Sequence, residues 1–198
     1  MSNKKSEDDS WLFKLWFVGP FFKIGSDYVS DGDVRYQKKM APLGDWWITL
    51  FPSIAISFAL LAVIVLLDNN LCGDFVNKTK PAEYFLGVMA SFLGFGIGVY
   101  ALVFGVSSDI LRSMQKSHIE VNKDVGGGST VLSLNSEFAF PLMILLLTCF
   151  VLIFQFIFSD NYHLKLVSWF FIFFSFFLIG KLILSLYDFG KIVILEKL

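Results

Sequence analysis

Four uninterrupted apolar stretches dominate the pattern of the chain, at residues 46–67, 84–106, 138–158 and 164–187. A helix needs about 20 mostly apolar residues to cross about 30 Å of hydrocarbon, and all four stretches reach that length. Their apolar positions are continuous rather than alternating, which fits helices and argues against a transmembrane barrel. The pattern therefore predicts an all-α membrane protein with four transmembrane helices. Residues 46–187 form the membrane domain, with a tail before it and another after it.

The composition supports this reading and excludes other classes of protein. Hydrophobic residues make up 56% of the 198 positions and charged residues 17%, whereas a soluble domain is about 25% charged. A water-soluble enzyme is therefore not expected. A net charge of −1 gives no support to nucleic-acid binding by a basic domain. Two cysteines cannot build a disulfide framework.

The distribution of Lys and Arg predicts the orientation of the spans. Of the fourteen Lys and Arg residues outside the spans, twelve lie in the N-terminal tail, the loop 107–137 and the C-terminal tail. Only Lys78 and Lys80 lie in the connections on the other side. Because positive charge is enriched on the cytoplasmic side, we expect both termini to be cytoplasmic in a multi-pass protein of the inner (plasma) membrane. Trp46 and Trp47 would form an aromatic belt at the inner interface.

The segments predicted to be cytoplasmic have their own patterns. The tail 1–45 contains an aromatic segment, residues 11–24, which lies either on the lipid interface or against another protein. In the loop 107–137, the glycines at 126–128 are typical of a flexible hinge, since no P-loop Lys-Ser/Thr follows them. Weak strand character at 130–134 and in the tail 188–198 predicts a small cytoplasmic pairing. Its edge could dock a partner through four apolar residues: Ile192, Val193, Ile194 and Leu195.

The sequence offers little for catalysis, and we expect no catalytic residue, metal site or cofactor. His118 and His163 fall on opposite sides of the membrane and cannot share a metal. Lys181, the one charge well inside a span, is expected to snorkel to the inner headgroups, with a pore or headgroup role as the alternative. Gln155 is expected to bridge helices.

A stripe of small residues in the second span stands out. Steps of four and three residues connect six positions, hereafter the small-residue seam: Gly87, Ser91, Gly94, Gly98, Ala101 and Gly105. Small side chains let helix backbones approach closely, and a period of 3.5 residues implies left-handed packing. The seam could serve packing within one chain, a subunit interface or a pore lining, although it offers no charged group to hydrate an ion. Because the third and fourth spans carry 12 of the 24 Phe residues, we expect them to face lipid and the second span to be central.

The layout resembles KwaA, the membrane subunit of the Kiwa anti-phage defence system. The likeness covers about 200 residues, four spans, cytoplasmic ends and a polar cytoplasmic side, together with the segment 11–24, the small-residue seam and the hinge at 126–128. No signature motif is matched, so no functional residue is carried over. The resemblance implies an oligomeric inner-membrane sensor that pairs with a cytosolic DNA-binding partner.

The leading hypothesis is a non-enzymatic, oligomeric membrane subunit that senses a membrane event and recruits or regulates a cytosolic protein, without binding nucleic acid itself. Its expected partners are the lipid bilayer, other copies of the chain and that cytosolic protein. A pore-forming or membrane-disrupting effector is the alternative. A small transporter is third, because no span carries a central charge or a clear broken-helix pair. Pro52 and Pro141 are expected to occupy the first turns of their helices.

Overall fold

The computed structural model describes residues 19–31, 33, 40–68, 75–105 and 130–195. Residues 11–18 of the aromatic segment, the hinge at 126–128 and Cys72 lie outside the described residues. Every element in the described ranges is a helix: α1 (Gly19–Val29), α2 (Leu43–Leu67), α3 (Phe75–Lys78), α4 (Pro81–Phe104), α5 (Thr130–Ile157) and α6 (Tyr162–Leu195).

The prediction of four helices able to cross a membrane is confirmed. The segments that are long and apolar enough are Leu43–Leu67, Pro81–Val103, Ser133–Ile157 and Tyr162–Lys191. Each overlaps one of the four predicted spans. With 34 residues, α6 is about 51 Å long at 1.5 Å per residue, well beyond the roughly 30 Å of a hydrocarbon core.

Two predictions about local structure are wrong. The expected strand at 130–134 lies in α5, and Ile192, Val193, Ile194 and Leu195 have a helical backbone at the end of α6. Both segments are contiguous with long apolar helices. Continuing an existing helix adds one hydrogen bond per ordered residue, whereas a two-stranded pairing is only marginally stable.

The two prolines lie inside their helices rather than in the first turns. Pro52 is the tenth residue of α2 and Pro141 the twelfth residue of α5. The prediction failed because Pro52 is already the seventh residue of the apolar stretch 46–67, and because α5 begins eight residues before the stretch 138–158. Each proline removes one backbone hydrogen bond from its helix.

The chain divides into two compact units, residues 1–49 with 107–140 and residues 50–106 with 141–198. In the second unit, the core joins α4, α5 and α6 through Ala82, Met89, Leu142, Leu145, Cys149, Leu152 and Ile172. Half of the spanning window of α5 is buried, against 17% for α4 and 11% for α2. The third span is thus the most buried of the four, and the fourth follows with 33%, so the expectation that these two face lipid around a central second span is wrong.

A tight turn joins α5 to α6. The N–H of Asn161 donates to the carbonyl oxygen of Phe158, and the Asn161 side-chain oxygen accepts the N–H of Leu164 over 3.1 Å. This second bond satisfies a first-turn donor of α6, as N-capping asparagines do. Because Thr148 of α5 also reaches Ser175 of α6 at 2.6 Å, the two helices form the antiparallel hairpin that the short connection predicts.

The first unit is built around α1. A Cβ on Gly25 would lie 2.7 Å from the Trp46 indole, so only glycine lets the ring approach this closely. The Ser26 hydroxyl accepts the N–H of Ala41 over 2.8 Å, and the Tyr28 ring stacks on Phe140 with centroids 4.4 Å apart. The described part of the segment 11–24 therefore begins a helix that packs on protein.

Candidate functional site

The inward face of α4 is defined by four buried residues at seven-residue intervals, Ala82, Met89, Gly96 and Val103. A strict spacing of seven keeps residues on one stripe of a helix. Phe85 and Phe92 flank this stripe, and their rings make edge contacts with Trp169 and Phe176 of α6. This face holds α4 to the rest of the second unit.

The small-residue seam lies on the other side of α4. All six of its positions are exposed, and a Cβ on Gly87, Gly94 or Gly98 would meet no atom within 4 Å. Gly94 and Gly98 are each two residues from Gly96, which is about 200° around the helix. The seam therefore makes no packing contact with the described helices of its own chain. Ser91 satisfies its hydroxyl locally by donating to the carbonyl oxygen of Gly87 over 2.8 Å.

One seam position falls outside the helix. Gly105 follows the last residue of α4, and its N–H donates to the carbonyl oxygens of Ala101 and Leu102. It closes the final turn, so the helical part of the seam runs from Gly87 to Ala101. The large exposed side chains of Val88, Phe95 and Leu102 stand beside it. The outer face is thus a shallow apolar groove with a floor of small residues.

Within the second unit, Gly96 permits close packing of α4 against α5. A Cβ there would overlap the Leu142 side chain of α5. Sequence reasoning missed this residue because it searched for runs of small positions. The available signal was the heptad of Ala82, Met89 and Val103 around it, which marks the buried stripe.

A second small pair was also missed. Ser53 and Ser57 are completely buried, although most of the α2 surface is exposed. They are four residues apart, the spacing at which small residues allow helices to pack closely. The Ser57 hydroxyl donates to the carbonyl oxygen of Ser53 over 2.7 Å. Phe58 on α2 contacts the Phe170 ring of α6, with centroids 4.7 Å apart.

Buried polar side chains connect the spanning helices. The side-chain oxygen of Gln155 accepts the N–H of Ala82 over 2.7 Å, so the predicted bridging role of Gln155 is confirmed. The hydroxyls of Thr148 and Ser175 lie 2.6 Å apart and both are buried. In an apolar environment these contacts satisfy groups that would otherwise be costly to bury.

The side chain of Lys181 points in a direction that the sequence did not predict. Its ammonium lies 5.5 Å from the centroid of the Phe177 ring, one turn closer to the start of α6. Long helical side chains lean toward the helix N-terminus, whereas snorkelling toward the end of α6 would carry the charge the other way. The ring face offers the ammonium a cation–π contact.

In the first unit, a polar cluster joins the end of α1 to the beginning of α5. The Ser133 hydroxyl donates to a carboxylate oxygen of Asp31, and Asp31 has a positive φ of 52°. Burial, together with the negative charge of Glu137, raises the pKa of Tyr28 to about 12. Burial also raises the pKa of Asp27, and the positive charge of Lys23 partly opposes that shift.

An apolar cavity of about 70 Å³ lies between α4, α5 and α6. Its lining comes from Phe92, Phe95, Gly96 and Val99 of α4, Leu145 of α5, and Ile179, Leu182, Ile183 and Leu186 of α6. In the part of the chain that the structure describes, no group of three or more His, Cys, Asp or Glu side chains is arranged to hold a metal ion. The side chains of Ile192, Val193, Ile194 and Leu195, expected to dock a partner, lie outside the described residues.

No protein-family model, curated protein or solved structure matches this chain.

Proposed function

We propose that the chain is a non-enzymatic subunit of a homo-oligomeric assembly in the inner membrane, which senses a membrane event and recruits a cytosolic protein. The observation that carries the proposal is the outward position of the small-residue seam on α4. Helices in lipid associate through close backbone packing, which small residues permit. A seam that the described helices of its own chain leave uncovered can pack against α4 of a second copy.

The shape of this face supports pairing between copies. All copies in a membrane share one orientation, so their α4 helices would pack in parallel. In that arrangement, side chains such as Val88 and Leu102, which are 40% and 75% exposed, can lie against the small residues of the neighbouring helix. The seam period of 3.5 residues favours a left-handed crossing.

A cytoplasmic platform is the second part of the proposal. The first unit is assembled from residues 1–49 and 107–140, nearly the same segments that the Lys and Arg distribution predicts to be cytoplasmic. Four crossings would also place the end of α6 on the cytoplasmic side. We propose that a soluble partner binds on this side of the membrane. The contact at the end of α6 would be helical rather than strand-like and would come from Ile192, Val193, Ile194 and Leu195. We include anti-phage defence because of the layout shared with KwaA.

The assembly is tested by Gly98→Leu, which places a bulky side chain on the seam. The matched control is Gly180→Leu on α6, an exposed glycine off the seam where a Cβ also meets no atom within 4 Å. Both variants make the same chemical change on a helix surface. We expect Gly98→Leu to insert into the membrane and to reduce oligomer size in mild detergent, while Gly180→Leu keeps the wild-type size. Wild-type assembly in both variants would refute the seam as a subunit interface.

The platform is tested by deleting residues 192–198. These residues follow the predicted fourth span, residues 164–187, so we expect normal insertion and oligomer size together with loss of cytosolic partner capture and of protection against phage. Full retention of the partner and of protection would remove the end of α6 from the proposal. The residues 11–24 would then be the next segment to delete.

A further inference from the structure

The apolar cavity lies in one half of the membrane-crossing helices. Its α4 lining, residues 92–99, begins 11 and ends 18 residues after Pro81. At 1.5 Å per residue, this is about 17 to 27 Å along a helix that crosses a hydrocarbon core of about 30 Å. The cavity therefore belongs to the leaflet at the C-terminal end of α4.

The floor and the rim of the cavity differ sharply in exposure. Leu145 on the floor is 1% exposed, whereas Phe95 and Ile183 at the rim are 68% and 57% exposed. The cavity thus reaches from the outer surface of the helices to the buried side of α5. Every lining residue is apolar or glycine. A cavity needs only about 10–15 Å³ to admit a water molecule, but apolar cavities stay dry and accept apolar ligands.

The dimensions indicate what occupies this space. Its lining extends along α4 from 92 to 99 and along α6 from 179 to 186, about 10 Å on each helix. The lining therefore follows both helices for about two turns, along the direction in which lipid tails lie. We propose that it is a binding site for one acyl chain of a membrane phospholipid, which enters between Phe95 and Ile183 and reaches Leu145.

A phospholipid with a diazirine in the middle of one acyl chain tests this proposal in vesicles containing the full-length protein. Light converts the diazirine to a carbene that inserts into nearby C–H bonds, and mass spectrometry identifies the labelled residue. Lipid surrounding the protein can label exposed Leu184, which is 65% exposed and outside the cavity lining. Only a chain inside the cavity reaches Leu145. We expect labelling of both residues.

Two filling variants make the test specific. Val99→Phe and Ile179→Phe each add an aromatic ring to the cavity from a different helix. We expect either variant to reduce labelling of Leu145 to background while Leu184 keeps its wild-type labelling and the protein keeps its elution volume. Because the two substitutions lie on different helices, one variant still provides the test if the other fails to fold.

Labelling of Leu184 without Leu145 in the wild-type protein would overturn the proposal. Unchanged Leu145 labelling in both filled variants would overturn it as well, because the lipid would then reach Leu145 by another route.

Discussion

The side-chain oxygen of Gln155, near the end of α5, accepts a hydrogen bond from the backbone N–H of Ala82 in the first turn of α4, over 2.7 Å. First-turn N–H groups have no partner inside their own helix. The residue before α4, Lys80, makes no capping side-chain bond, and Pro81 has no N–H. A side chain 73 positions away therefore supplies the cap, and Gln155 is itself only 1% exposed.

We predict that Gln155→Leu lowers the free energy of unfolding by about 1–3 kcal/mol, the usual cost of leaving a buried donor unsatisfied. The measurement is reversible unfolding in mixed micelles of increasing denaturing-detergent content. Ser168→Ala is the control, because the Ser168 hydroxyl donates to the carbonyl oxygen of Leu164 in its own helix, and no other bond of it is seen among the described residues. Equal decreases in the free energy of unfolding in the two variants would show that the bond between Ala82 and Gln155 contributes no more than the local bond of Ser168.

The sequence predicts part of this arrangement and not the rest. A polar Gln155 in an apolar span indicates a bridging role because an unsatisfied amide is costly in lipid. Its partner could not be predicted, since a backbone N–H leaves no trace in the residue type at Ala82. The spans themselves follow from continuous hydrophobicity, which depends on local sequence alone. α5 begins before Phe138 and α6 continues beyond Tyr187, in turns that contain polar residues. These turns depend on packing and on the apolar helix that they extend, so hydrophobicity alone did not predict them.

Gly96 and Leu142 give a second prediction. We expect Gly96→Ala to lower the free energy of unfolding by about 1 kcal/mol, the lower end of the usual cost of overpacking, because its Cβ overlaps a terminal methyl of Leu142 that can rotate aside. Gly94→Ala, on the exposed seam where a Cβ meets no atom within 4 Å, should instead stabilise the monomer by up to about 1 kcal/mol through helix propensity. Combining Gly96→Ala with Leu142→Ala should cost less than the sum of the two single changes. Strict additivity in this double-mutant cycle would contradict the contact.

Three glycines of α4 show why the sequence left open whether the seam packs within the chain or between chains. Gly94 and Gly98 lie in a long run of small positions, whereas Gly96 lies alone between large residues. Small residues serve packing inside a chain and between chains equally well, so their number does not determine which face is buried. The face is decided by Met89 and the adjacent aromatic rings, which bury far more apolar surface against α5 and α6.

Alkaline pH provides a third prediction, in the first unit. The pKa of Tyr28 is about 12 in the folded protein, above the value of about 10 for a tyrosine exposed by unfolding. The folded state therefore binds more protons between these values, and stability falls as pH rises from about 10 to about 12. Tyr28→Phe should flatten this slope and remove the most alkaline tyrosinate absorbance change. A Tyr28→Phe titration identical to wild type would contradict the assignment.

The orientation in the membrane is the fourth prediction, and the two cysteines make it accessible. Cys72 follows the first span, on the side where only Lys78 and Lys80 are positive, so the charge distribution predicts an outer location. Cys149 is buried in α5 and should not react with a membrane-impermeant maleimide. We therefore expect intact cells to be labelled at Cys72 and Cys72→Ser cells to remain unlabelled. Adding Lys23→Cys to the Cys72→Ser variant supplies the opposite control, because Lys23 is exposed on α1 in the predicted cytoplasmic tail. That double variant should react only after permeabilisation. The reverse pattern, with Lys23→Cys labelled in intact cells and Cys72 only in permeabilised ones, would invert the orientation and move the first unit outside the cell.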